Sequence, residues 1–446
     1  MTGTPEPASC ETVDVAGVGV GPFNLSLAAL LHGAADLSAR FFEARPGFAW
    51  HPGLLFDFAT LQSPYLKDLV TLVDPTNPFS FLNYLVREHR IHRFIVSDYV
   101  NVPRQEYNRY FQWVCGRLAS LRFSARVERL SFDGSSFVLE GDGFGCRARH
   151  VVLGVGHSWN VPPEAEPHLG PTVLHGAEYL VRQVPREGRR IVVIGGGQTG
   201  AEIFYDLISE RRERPAHVTW VTRRHNFVPF DESPFANELY VPGYTKAFFH
   251  YSPEHRRALL EKQKYSSDAI VQPLLLDIYR TLYEMDHLHA DRRIPYRLMV
   301  DRRLAALEPE AGGWVVVTDG PDARERTPAD VVVLATGFRF QVPALLAPLA
   351  DRVPLDAEGG FVVNEDFSIA WDGPPEHRIY VHNGALRTHG WVDPNFAGMA
   401  WRSAVMVNSL AGREVYDLSG TDTAVDWVGD RVGAPESDGA RLARRR

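Results

Sequence analysis

The chain has 446 residues, 45% of them apolar and 23% charged, with a net charge of −8. That balance excludes a disordered or fibrous chain, and the length exceeds what one hydrophobic core accommodates, so two or more domains are expected. The negative charge argues against nucleic acid as a partner, and the widely spaced Cys10, Cys115 and Cys146 offer neither a disulfide framework nor a zinc site.

The first residues, MTGTPEPASCETVD, have neither the basic start nor the apolar core of a signal peptide. No apolar run approaches the ~20 residues of a membrane span, so a cytoplasmic protein without membrane association is expected. The first structured signal is VDVAGVGVGPFNLSLAAL at 13–30. Residues 13–17 predict a buried strand, and Gly19, Gly21 and Asn24 a GxGxxN turn ahead of a helix over 25–31. At such a turn the free N–H groups and the helix dipole favour a pyrophosphate, whose approach any side chain would obstruct. The next strand, ARFFEARPG at 39–47, ends near Glu43, where a carboxylate binds ribose hydroxyls. This completes one βαβ unit.

Further along, NRYFQWVC at 108–115 carries Tyr110, Phe111 and Trp113 and predicts a helix packed on the core. HVVLGVGHSWNVP at 150–162 closes the first unit. A second unit opens with RIVVIG and a full GxGxxG made by Gly195, Gly197 and Gly200, with Gln198 and Thr199 between them. Its helix is predicted over 201–209. The following strand, HVTWVTRR, ends in Arg223 and Arg224 rather than an acid, which suits a ribose 2′-phosphate and hence NADPH. VVVLATGFRF at 331–340 predicts a central parallel strand, with Ala335, Thr336 and Gly337 leaving room for a cofactor. The fold expected is α/β, with two Rossmann-like dinucleotide-binding domains. The NADPH domain (166–329) is inserted into an FAD domain made of 1–165 and 330–446. Two such sites in one chain mean that two dinucleotides have to meet.

With these units in place, the sequence resembles the flavin-dependent N-hydroxylating monooxygenases, the lysine/ornithine N-monooxygenase family. The resemblance runs from VDVAGVGVGPFNLSLAAL to AWRSAVMVNSLAG. It is most specific in FAWHPGLLFDFATLQSPYLKDLVTLVDPTNPFSFLNYL (48–85) and NGALRTHGWVDPNFAGMAWRSA (383–404). It implies hydroxylation of a terminal primary amine with FAD, NADPH and O₂, within hydroxamate siderophore synthesis. It also implies a homo-oligomer, dimer or tetramer. Gly19, Gly21 and Asn24 match the FAD fingerprint, and Gly195, Gly197 and Gly200 the NADPH one. Gln62 matches a glutamine beside the flavin, with Trp50 and His51 lining the flavin or packing the core around it. Lys67 matches a substrate-contacting lysine, and Asn237 an asparagine near substrate and nicotinamide. Where ornithine-type members carry Thr-Asn-Tyr, this chain reads YSSDAI at 265–270, which sets Ser267 and Asp268 in those places. That departure resembles the lysine and diamine branch.

A lysine-like ammonium, with a pKa of about 10.4, has to lose its proton to react, and burial in an apolar pocket lowers that pKa. The resemblance implies a flavin hydroperoxide as oxygen donor, so no side-chain nucleophile and no metal are expected, and water has to be kept out. Lys67 has a plainer reading as an ion-pair partner of Asp68 or of a surface acid, Asp268 as a solvated residue, and His389 reads equally as a cofactor neighbour or a structural histidine. A generic flavin or Baeyer–Villiger monooxygenase is only partly echoed, by His175 and Tyr179 in HxxxY. A disulfide reductase would need a redox CxxxxC, which is absent. L-Lysine, cadaverine, putrescine, ornithine and histamine all stay open as substrates, with lysine or a diamine favoured by YSSDAI.

Overall fold

The computed structural model describes residues 10–209, 213–420 and 423–427. The basic end RLARRR lies outside them. Two sheets organise the chain. The first is seven-stranded and sets Leu121–Arg122, Ala39–Phe42, Cys10–Val18 and Phe144–Leu153 side by side in parallel. Ile379–Val381 joins the far end of Phe144–Leu153, also in parallel, while Phe137–Gly141 and Val127–Phe132 add an antiparallel meander. The second sheet is five-stranded and wholly parallel, in the order Tyr296–Met299, His217–Val221, Arg190–Ile194, Val331–Leu334, Val173–His175. Apolar, β-branched runs suit strands covered on both faces, and Val331–Leu334 is buried throughout.

That placement corrects the boundary expected at 330. The strand Val331–Leu334 hydrogen-bonds to Arg190–Ile194 and so belongs to the second sheet, and only the chain after it returns to the first. An apolar run announces a central strand without saying which sheet it enters. A second departure lies in the first segment, where Leu54, Phe56 and Ala59 pack into the core of the second sheet. Gly53 permits this approach, since a Cβ there would come within 2.0 Å of the Ala177 carbonyl oxygen.

The helix Pro22–Leu31 starts directly after Gly21, so Asn24 falls in its first turn rather than ahead of it. The helix Gln198–Ile208 likewise starts three residues earlier than its sequence pattern suggests, with Gly197 as its N-cap. Proline at the first helical position fits the former, since its missing N–H would be unpaired there anyway. Arg104–Cys115 forms the expected core helix, with Tyr110 and Phe111 fully buried and Trp113 half-buried. Among the described residues no helix is long and apolar enough to cross a membrane.

Candidate active site

Both glycine turns sit at the carboxyl ends of their parallel strands, the edge at which open α/β sheets receive ligands. In the first, Gly19 adopts φ +86°, and a Cβ there would lie 2.5 Å from the Gly154 carbonyl oxygen. Asn24 ties the turn together, its Nδ2 donating to the carbonyls of Gly19 (2.7 Å) and Val18 (3.2 Å). That bond explains why asparagine stands in place of a third glycine. Beyond Gly21 a Cβ would meet nothing within 4 Å, so open space lies where a phosphate has to approach the backbone. Glu43 is buried, and its carboxylate accepts from the Val20 N–H (2.8 Å) and the Arg45 N–H (2.9 Å), so it braces the turn as well as facing it.

The second turn repeats this division of labour. Gly195 has φ +137° and would place a Cβ 2.0 Å from the Ala335 carbonyl oxygen, while one at Gly200 would lie 2.0 Å from the Gly195 carbonyl oxygen. Only Gly197 faces outward, with the Asp268 Oδ1 3.6 Å from the place of its Cβ. Gly195→Ala is therefore expected to cost about 1–3 kcal/mol in backbone strain alone, before the clash with Ala335 is relieved. The variant should melt at lower temperature and lose NADP⁺ binding while keeping its flavin. An unchanged melting curve with intact NADP⁺ binding would remove the turn from this role.

Beside the second turn runs a cleft of about 840 Å³. It brings together Gln62, Gly195, Gly197, Gln198, Thr199, Arg223, Arg224, Ser267, Asp268, Ala335, Thr336 and Gly337. Gln62 has a buried Nε2 with no acceptor among the described residues. An orphaned donor on the cleft of the second glycine turn fits the edge of a polar heterocycle. The side chains of two predicted cofactor residues are turned inward instead. Gln198 accepts from the Val271 N–H (3.0 Å) and donates to Glu202 (2.8 Å). Thr336 donates to the Asn160 carbonyl (2.6 Å) and accepts at its own carbonyl from Asn160 Nδ2 (3.0 Å).

A family model described as L-lysine 6-monooxygenase/L-ornithine 5-monooxygenase matches residues 11–340. The chain belongs to this family. The L-lysine N6-monooxygenase of Escherichia coli is 38% identical over 422 residues, spanning 94% of this chain and 99% of that protein. A cadaverine monooxygenase of the desferrioxamine pathway from Erwinia amylovora, solved with FAD, superposes with a TM-score of 0.86 at 29% identity, over 96% of this chain and 99% of its own. An ornithine N-hydroxylase from Kutzneria sp. 744, solved with reduced FAD, NADP⁺ and L-ornithine, gives a TM-score of 0.83 at 28% identity, over 90% and 99%. This chain is thus a flavin-dependent N-hydroxylating monooxygenase.

In this monooxygenase the two arginines after His217–Val221 differ. Arg224 donates to the Gly196 carbonyl (3.1 Å) and pairs with Asp268 (2.7 Å), whereas Arg223 is exposed on the cleft with no partner among the described residues. Asp268, expected to read substrate, is thus ion-paired beside the nucleotide turn while lining the same cleft. Its pairing spans 44 positions in sequence, and nothing in YSSDAI announces it. Asp268→Asn is expected to free Arg224 and tighten NADP⁺ binding about two- to fivefold, the scale of a half-exposed ion pair. Weaker binding in calorimetry would show instead that the carboxylate holds Arg224 in its working position. Arg303, missed in the sequence, also lines the cleft without a partner among the described residues. Its signal was the Arg302-Arg303 pair that follows the strand Tyr296–Met299 and opens the next, Arg303–Glu310.

The remaining predicted residues fall outside the cleft lining. Asn237 is exposed and donates to the carbonyls of Glu232 (3.3 Å) and Ser233 (3.2 Å), closing its own turn. Trp50 packs on Phe396 and Phe111. His51 holds a left-handed backbone at φ 44°, and desolvation with the nearby Arg104 and Arg45 charges brings its pKa to about 4. His389 is the structural histidine of the plainer reading: it is buried, stacks on Phe367 and is pulled by desolvation to a pKa of about 3. Lys67 is half-buried with no hydrogen-bond or ion-pair partner for its ammonium among the described residues, and desolvation lowers its pKa. Its sequence neighbour Asp68 is fully buried, accepting from the N–H groups of Val70, Thr71 and Phe81 and from the Thr71 hydroxyl.

Proposed function

We propose that this enzyme N-hydroxylates the terminal amine of L-lysine, with FAD at the Gly19–Asn24 turn, NADPH at the Gly195–Gly200 turn and O₂ as co-substrate. The product would be a hydroxylamine destined for a hydroxamate siderophore. The observation that carries the choice of substrate is Lys67, a desolvated ammonium without a counter-ion among the described residues. An α-carboxylate at the non-reacting end of an amino acid supplies that counter-ion, and a diamine does not. The identity with the Escherichia coli lysine enzyme, 38% over nearly the whole chain, supports the same reading.

FAD, once bound, activates oxygen for transfer to the amine. The chain's own contribution is placement and exclusion of water. The Gly195–Gly197 turn lines one cleft with Gln62, the glutamine matched to the flavin side, which supports a reductant held close to the flavin. A second reading, cadaverine, is favoured by the structural likeness to the Erwinia amylovora enzyme. Hydroxylamine formation measured across L-lysine, L-ornithine, cadaverine and putrescine separates the two. L-Lysine is expected to give product in step with NADPH oxidation. Product from the diamines with none from L-lysine would overturn the proposal.

A further inference from the structure

The first residue of the helix Arg104–Cys115 belongs to the FAD-side core, yet its guanidinium reaches across to the nucleotide side. Arg104 grips Glu202 with both ends of its fork, Nη1 to Oε2 at 2.9 Å and Nη2 to Oε1 at 2.6 Å. Both side chains are largely withdrawn from solvent, at 14% and 1% exposure. Glu202 lies on the helix Gln198–Ile208, where its Oε1 also accepts from Gln198 Nε2 (2.8 Å). Gln198 directly follows the outward-facing Gly197. On the other side, Arg104 Nε donates to the Thr60 carbonyl (3.1 Å), its own N–H bonds to the Ala59 carbonyl (2.9 Å), and Pro103 bridges to Thr60. Two residues beyond Thr60 comes Gln62, which lines the cleft and whose buried Nε2 has no partner among the described residues. One ion pair thus ties the helix after the nucleotide turn to the helix Arg104–Cys115 and to the chain that leads to Gln62.

A pair this buried contributes little net stability over apolar side chains of the same volume, since desolvation offsets the attraction. What it does fix is direction, because a two-pronged arginine–carboxylate contact holds both distance and plane. We propose that Arg104 and Glu202 are positioning residues for flavin reduction, aligning the nicotinamide end of the bound nucleotide with the flavin. The inference rests on the proposed seats of FAD and NADPH. Hydride transfer tolerates little misplacement: a shift of about 1 Å costs on the order of a hundredfold in rate.

The test uses the FAD-loaded enzyme with two kinds of variant. The double variant Arg104→Met/Glu202→Leu removes the pair without leaving an unpaired buried charge. Arg104→Lys keeps the charge and gives up the fork. Flavin content, melting temperature and the NADP⁺ Kd are measured first, then anaerobic flavin bleaching by NADPH and the long-wavelength charge-transfer band of reduced flavin with NADP⁺. Expected are a Kd within about twofold of wild type, a reduction rate lowered ten- to a hundredfold and a weakened charge-transfer band. Reduction as fast as wild type in Arg104→Lys, or losses of flavin and NADP⁺ affinity that account for the whole rate change, would overturn the proposal. Should the double variant not fold, Arg104→Lys decides alone. Failure of the wild type itself to bind NADP⁺ would strike at the seats of the cofactors rather than at the ion pair.

Discussion

Arg223→Ala raises the KM for NADPH about ten- to a hundredfold and leaves the kinetics with NADH unchanged. Arg223 stands exposed on the cleft just past the strand His217–Val221, and no described residue neutralises it. A 2′-phosphate there gains charge-assisted hydrogen bonds of about 1.5–3 kcal/mol, which is the fold-change stated. Arg303 lies alongside, since the Arg302 N–H bonds to the Thr222 carbonyl (2.9 Å), so Arg223→Ala/Arg303→Ala should lose more than either single variant. Arg224 behaves differently. Its guanidinium already holds the Gly196 carbonyl and Asp268, and Arg224→Ala loosens the turn that every nicotinamide dinucleotide shares. NADPH and NADH should suffer alike in that variant. Steady-state kinetics with both nucleotides, at matched flavin content, checks the set. Equal losses for both nucleotides in Arg223→Ala would remove it from 2′-phosphate recognition.

The two turns were legible in the sequence because their constraints are local. Gly19 and Gly195 need positive φ, and Gly21 and Gly197 need open space, so each unit announces itself within a few residues. What escaped was set by contacts between distant segments. The strand Val331–Leu334 has the composition of any central strand, and only its pairing with Arg190–Ile194 shows which sheet it enters. Asp268 looked like a reader of cations because its partner, Arg224, is invisible from its own neighbourhood. Gln198 and Thr336 sit where cofactor residues are expected, yet their side chains serve the protein's own backbone and Glu202. Arg104 and Glu202 are two charges in unremarkable company until the fold joins them.

Lys67→Ala is expected to lower kcat/KM for L-lysine by roughly thirty- to several-thousand-fold, the ~2–5 kcal/mol lost when a partly desolvated charge pair is truncated. The sequence allowed plainer roles, among them an ion pair with Asp68. The loop excludes it, because Asp68 turns inward and spends its carboxylate on the N–H groups of Val70, Thr71 and Phe81. Lys67 is left half-buried with a pKa lowered by desolvation and no anion to restore it. Binding a carboxylate reverses that shift, so the proton is held more tightly in the complex than in the free enzyme. Cadaverine gives the opposite sign. It brings a second ammonium towards Lys67, and Lys67→Ala should leave its turnover unchanged or improve it. Asp268 offers that ammonium no compensation while Arg224 holds it, so Asp268→Ala should not abolish the hydroxylation of any amine. Assays of both variants on L-lysine and cadaverine, after flavin content is matched, read out the pattern. Undiminished turnover of L-lysine by Lys67→Ala would leave this ammonium without a substrate role and move the amino-acid site away from Lys67.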